Sequence, residues 1–101
     1  MKTSATLLEG GLVIDGSADP AWTGDLLLLG DRIERVGAGL RQRLPDGLSI
    51  DDVQVVDCTG LAIAPGFIDA HTHDDLALLA QPAMPFKVSQ GVTTVVTGNC
   101  G

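Results

Sequence analysis

The spacing of two strand-like segments near the C-terminal end limits what this chain can fold into. Phe67-Ile68-Asp69-Ala70-His71-Thr72-His73 alternates as a strand, and Val92-Thr93-Thr94-Val95-Val96 is a β-branched run suited to another. Between His73 and Val92 lie 18 residues. That gap is longer than any hairpin needs and long enough for a parallel crossover. Pro82 and Pro85 forbid one continuous helix across it. A short helical piece is therefore expected near Leu76–Ala80, and a second from Pro85 to Gln90 with Gly91 as its stop. Residues 67–97 thus read as one strand–helix–strand unit, and such a unit buries both strand faces and is not stable as a lone pair.

The first 63 residues read differently, as a meander of short strands. Leu12-Val13-Ile14 ends at Asp15-Gly16, and Leu26 to Leu29 meets Arg32 to Val36 across Gly30-Asp31, the mark of a tight hairpin. Residues 37–52 are rich in Gly, Asp, Arg and Pro and read as a loop with at most a helical turn. Val53 to Val56 and Leu61 to Ile63 resume strand character around the turn Cys58-Thr59-Gly60. A boundary is expected between 1–63 and 64–101.

Composition narrows the function. Six Lys and Arg against 13 Asp and Glu give a net charge of −7. Arg32, Arg35, Arg41 and Arg43 are interleaved with acids, so no nucleic-acid backbone is expected as partner. No apolar run approaches the roughly 18 residues of a membrane span, and Glu9 interrupts the only apolar stretch near the start, so no secretory signal is expected either. A cytoplasmic protein is expected. Two cysteines make no disulfide framework, and Cys58 reads as a small residue in a strand-end turn. Trp22 reads as packing or loop cover.

His71 and His73 carry the chemistry. Two imidazoles at i and i+2 of a strand point the same way, and neutral imidazole is a common zinc ligand. Cys100 follows the second strand. In a parallel unit both strand ends lie on one side and neighbouring strands are about 4.8 Å apart, so a Cys100 thiolate falls within reach of the face that the histidines share. Asp69 shares that face too, suited either to orienting a ligand or to accepting backbone amides. Asp74 and Asp75 read as helix N-caps rather than ligands.

The run Ala64-Pro65-Gly66-Phe67-Ile68-Asp69-Ala70-His71-Thr72-His73 resembles the first barrel strand of the amidohydrolase superfamily. Met84-Pro85-Phe86-Lys87-Val88-Ser89-Gln90-Gly91-Val92-Thr93-Thr94-Val95-Val96 and Gly98-Asn99-Cys100-Gly101 resemble the D-aminoacylase (N-acyl-D-amino-acid deacylase) branch, as do Gly11 to Gly16 and Gly30 to Ile33. The resemblance implies an α/β and β architecture. The N-terminal strands of a small β-sandwich domain precede the first β-α-β unit of a metal-dependent (β/α)8 barrel, incomplete within 101 residues.

The same resemblance implies zinc as cofactor, held by His71, His73 and Cys100, and N-acyl-D-amino acids as substrates hydrolysed at the amide. It places two further zinc histidines, the groups holding the substrate carboxylate and the catalytic aspartate downstream of residue 101. The 101-residue chain is therefore expected to be inactive by itself and prone to self-association through open strand edges. Two alternatives stand beside this reading: an amidohydrolase acting on cyclic amides, dihydropyrimidinase- or dihydroorotase-like, and a non-catalytic β-rich module.

Overall fold

A computed structural model describes residues 4–98 of the chain. The chain divides into two units, Met1–Pro65 and Gly66–Gly101.

The first unit is a mixed sheet. Its strands are β1 (Ala5–Val13), β2 (Trp22–Leu29), β3 (Arg32–Gly37), β4 (Val53–Asp57) and β5 (Ala62–Ile63). The order is β3-β2-β1-β4, with β5 also pairing to β1. The hairpin expected at Gly30-Asp31 is present: Leu29 opposes Arg32, and Gly30 takes a left-handed φ of 60° that glycine adopts without a Cβ penalty.

A simple meander does not form. β4 and β5 return to β1 and pair with it in parallel, Ala5 to Glu9 opposing Val53 to Asp57. The reason lies in residues 38–52, which supply a crossover rather than a surface loop. Leu40 from this excursion packs, fully buried, against Leu7 and Leu27, with Leu44, Leu48 and Val53 around them. The excursion is also tied down by the buried Asp25, whose two carboxylate oxygens accept the Gly10 and Leu40 amides at 2.9 and 3.0 Å.

β1 is longer than the alternation predicted, because a bulge breaks its period. Leu8 opposes Leu26 and Gly11 opposes Gly24, so β1 carries one residue more than β2 between these pairs. Gly10 supplies the positive φ of 75°. The extra residue flips the side-chain parity. Leu7 therefore belongs to the Leu27–Leu40 cluster, while Leu8 and Val13 both join the second cluster with Cys58 and Ile63. Cys58 is buried in that cluster, and Trp22 lies across Gly24, where a Cβ would meet its ring; both fill the packing roles expected of them. Leu8, Val13, Ile14, Leu26, Ile33 and Val36 line an open apolar groove of about 290 Å³.

Arg41 reaches back to the bulge and donates to both Glu9 carboxylate oxygens, at 3.0 and 2.8 Å. That guanidinium holds the Glu9 carboxyl below the usual glutamate range. A lowered folded-state pKa makes the pair favour folding above the ordinary carboxylate range, and the contribution fades as pH falls through the lowered value. Substituting Arg41→Gln is expected to move the Glu9 titration, followed by its side-chain carbonyl-carbon NMR signal, upward into the ordinary range. An unchanged midpoint would refute the assignment.

The second unit contains β6 (Phe67–Asp69), α1 (Asp75–Ala80), α2 (Pro85–Val88) and β7 (Val92–Val95). β6 and β7 pair in parallel, as the 18-residue gap required. Pro85 occupies the first turn of α2, which stops at Val88, short of the expected Gln90. The residue before it, Met84, is buried with a left-handed φ of 48°. Phe67, Ile68, Leu76 and Leu79 are each about two-thirds exposed or more. Among the described residues no helix is long and apolar enough to cross a membrane.

Candidate metal centre

The strand carrying the histidines is shorter than its alternation suggested. β6 ends at Asp69, so His71 and His73 do not share a strand face with Phe67 and Asp69; they stand in the loop that follows. The loop nevertheless holds their rings side by side, centroids 5.5 Å apart and planes at 66°. Both residues are exposed.

Three anchors shape this loop. Thr72 between the histidines is buried, and its hydroxyl donates to the Val96 carbonyl at 3.2 Å and accepts the Asp74 amide at 3.4 Å. Asp69, the last residue of β6, accepts the His71 amide at 3.4 Å. Lys87 of α2 places its Nζ 2.7 Å from Asp69 Oδ2 and 3.1 Å from Asp74 Oδ2. The ammonium holds the Asp69 carboxyl below the usual range, and the two carboxylates push the Lys87 pKa up. Asp74 Oδ2 makes no well-formed hydrogen bond, so its contact with Lys87 is an ion pair with poor hydrogen-bond geometry.

Neither aspartate caps α1 with its side chain, contrary to expectation. Asp74 holds the N-cap position but turns to Lys87, and Asp75 Oδ1 instead accepts the Gly98 amide at 3.3 Å. Long-range partners outbid the local cap. The segment leaving β7 thus follows the histidine loop: Val96 donates to the Asp69 carbonyl at 2.9 Å, and Gly98 reaches Asp75. Cys100 lies outside the described residues.

Sequence reasoning missed Thr72 and Lys87. Lys87 left a signal, being the only Lys or Arg after Arg43 in a stretch that contains Asp69, Asp74 and Asp75.

The histidine pair suits a shared zinc ion. Two imidazoles on one tetrahedral zinc, with Zn–N of about 2.0–2.1 Å, put their centroids about 5 Å apart, close to the separation found. Both are nitrogen donors of the kind zinc accepts. They supply half of a tetrahedral set; among the described residues no group of three or more His, Cys, Asp or Glu converges as ligands.

Comparison with known proteins adds a lineage. A family profile described as "Amidohydrolase family" matches residues 54–101. An N-acyl-D-aspartate deacylase from Alcaligenes xylosoxydans xylosoxydans is 53% identical over 95 residues, 94% of this chain and 18% of that protein. A D-aminoacylase crystal structure superposes with a TM-score of 0.76 at 46% identity, covering 94% of this chain and 18% of the other. An N-acyl-D-glutamate deacylase from Bordetella bronchiseptica, solved with zinc and a phosphonate mimic of the tetrahedral intermediate, gives a TM-score of 0.75 at 39% identity, over 100% of this chain and 19% of the other. The chain spans about a fifth of the length of the relatives it matches.

Proposed function

We propose that this chain, which matches an amidohydrolase family model over residues 54–101 and an N-acyl-D-aspartate deacylase over 94% of its length, is the N-terminal segment of a zinc-dependent hydrolase cleaving the amide of N-acyl-D-amino acids. The observation that carries this reading is the side-by-side placement of the His71 and His73 rings at the end of a parallel strand pair.

In this reading His71 and His73 hold the zinc through ring nitrogens, and Cys100 is a further ligand. Support for Cys100 comes from Gly98. Its amide is bound to Asp75, two residues past His73, and two residues of chain reach roughly 7 Å. A bound zinc lowers the pKa of water and polarises an acyl carbonyl. The chain's own residues then have defined tasks. Thr72 and Asp69 hold the histidine loop against the two strands, with both histidines at the exposed surface. The catalytic base, the remaining ligands and the groups for the substrate carboxylate belong to sequence beyond residue 101.

The architecture proposed with it follows from unfinished surfaces. Residues 1–63 form the first sheet of a small β-sandwich, with the apolar groove between Leu8 and Val36 as the face a second sheet covers. Residues 64–101 form the first strand–helix–strand of a (β/α)8 barrel. Exposed Phe67, Ile68, Leu76 and Leu79 are then the surfaces that later strands and helices bury, and they make the isolated 101-residue chain self-associate.

The test uses the whole-length protein and pairs of N-acyl-D- and N-acyl-L-amino acids. Expected is hydrolysis of the D form only, abolished by a chelator and restored by added zinc, with no turnover by the 101-residue chain alone. Chelator-insensitive hydrolysis, or none on any D substrate, overturns the proposal.

A further inference from the structure

We propose that Lys87 is a positioning residue for the zinc site, clamping both ends of the histidine loop so that the two imidazoles stay at chelating separation. The proposal rests on the reading of His71 and His73 as zinc ligands.

The geometry is specific. His71 and His73 occupy the loop between Asp69, the last residue of β6, and Asp74, the residue before α1. One ammonium, from α2, contacts both of those flanking carboxylates, at 2.7 and 3.1 Å. The lysine side chain is 23% exposed, and those of Asp69 and Asp74 are 31% and 17% exposed, so the cluster is partly withdrawn from water and less screened than a surface pair. Val96 donates to the Asp69 carbonyl, and Thr72 bonds the Val96 carbonyl and the Asp74 amide, so the loop is also tied through the exit of β7; Lys87 adds the direct bridge between the two flanking carboxylates.

Removing the ammonium does more than delete two contacts. Both carboxylate oxygens lie within 2.7 and 3.1 Å of one Nζ, so they are no more than about 6 Å apart and repel once it is gone. Relief comes from separating the loop ends, which carries the imidazoles with them. No other Lys or Arg follows Arg43 in these 101 residues to take its place. Partners that hydrogen-bond metal ligands typically carry about 10- to 100-fold of metal affinity, and Lys87 acts through such a neighbour, Asp69, which accepts the His71 amide.

The experiment uses the whole-length protein, with zinc alone as probe in competition with a chromophoric chelator and cobalt(II) as spectroscopic stand-in. Lys87→Met is expected to weaken zinc binding by about 10- to 100-fold and to shift the visible bands of the cobalt-saturated protein. Lys87→Arg, which still presents a cation to two carboxylates, restores most of the affinity and the wild-type bands. A loss of folded-state stability alone would leave the bands at saturating cobalt unchanged.

Wild-type affinity and bands in Lys87→Met overturn the clamp. Where Lys87→Met does not fold, Asp74→Asn opens one end of the clamp only. It is expected to give a smaller loss with a band shift in the same direction, and wild-type values there overturn the proposal equally. Failure of the underlying reading has its own signature: His71→Ala then binds zinc as tightly as wild type, whatever Lys87 does.

Discussion

His71→Ala and His73→Ala, each made in the whole-length protein, are expected to lower kcat/KM toward an N-acyl-D-amino acid by on the order of a thousandfold while the protein stays folded. The magnitude follows from what a bound metal contributes. Lewis-acid stabilisation of developing charge amounts to several kcal/mol, and about 1.4 kcal/mol corresponds to a factor of ten. Retention of the fold follows from exposure of both residues and from the bonds that hold the loop through other side chains, Thr72 on Val96 and Asp69 and Asp74 on Lys87. Exposed positions of this kind shift stability by roughly 0.5 kcal/mol or less. Steady-state kinetics and a thermal melt on the same preparations make the check. Undiminished turnover in both variants would remove the histidines from the chemistry. Loss of activity in step with loss of the folded state would make them structural.

What could be read in advance was local or set by chain length. The Gly30-Asp31 hairpin is encoded within four residues, and the parallel β6–β7 pair follows from the residues between His73 and Val92, whatever their detailed packing. The histidine pair was legible as chemistry but not as geometry. Alternation carried the strand through His73, whereas β6 stops at Asp69, after which the Thr72 hydroxyl, rather than a backbone amide, donates to the Val96 carbonyl. Non-local pairings stayed hidden. Nothing in residues 53–57 announces that they pair with residues 5–9 in parallel rather than with the strand before them. The bulge at Gly10 concealed the first half of β1 by shifting its apolar residues out of period. The side chains of Asp74 and Asp75 were assigned to a local cap, and that assignment lost to partners more than ten residues away, Lys87 and Gly98.

The first unit depends on one buried polar group, and Asp25→Ala is expected to destabilise it by up to about 6 kcal/mol, because the buried Leu40 amide loses its acceptor at about 1–3 kcal/mol and the half-buried Gly10 amide at no more than that. Asp25 is 6% exposed and holds the Gly10 amide with one oxygen and the Leu40 amide with the other. Those amides belong to the two features that define the sheet: the bulge that resets the parity of β1, and the excursion that delivers Leu40 to the core and lets β4 return in parallel. A whole domain is stable by only about 5–15 kcal/mol, so the substitution threatens the fold itself. Asp25→Asn separates the two contributions. One carbonyl oxygen still accepts, while the amide NH2 now faces a backbone N–H, so roughly half of the alanine cost remains with one of the two amides unprotected. Denaturant unfolding of the whole-length variants, with hydrogen exchange at Gly10 and Leu40, reads both quantities. An Asn variant as damaging as Ala would show that the carboxylate acts as one unit, and an Ala variant within about 0.5 kcal/mol of wild type would show that the excursion is held by the packing of Leu40 alone.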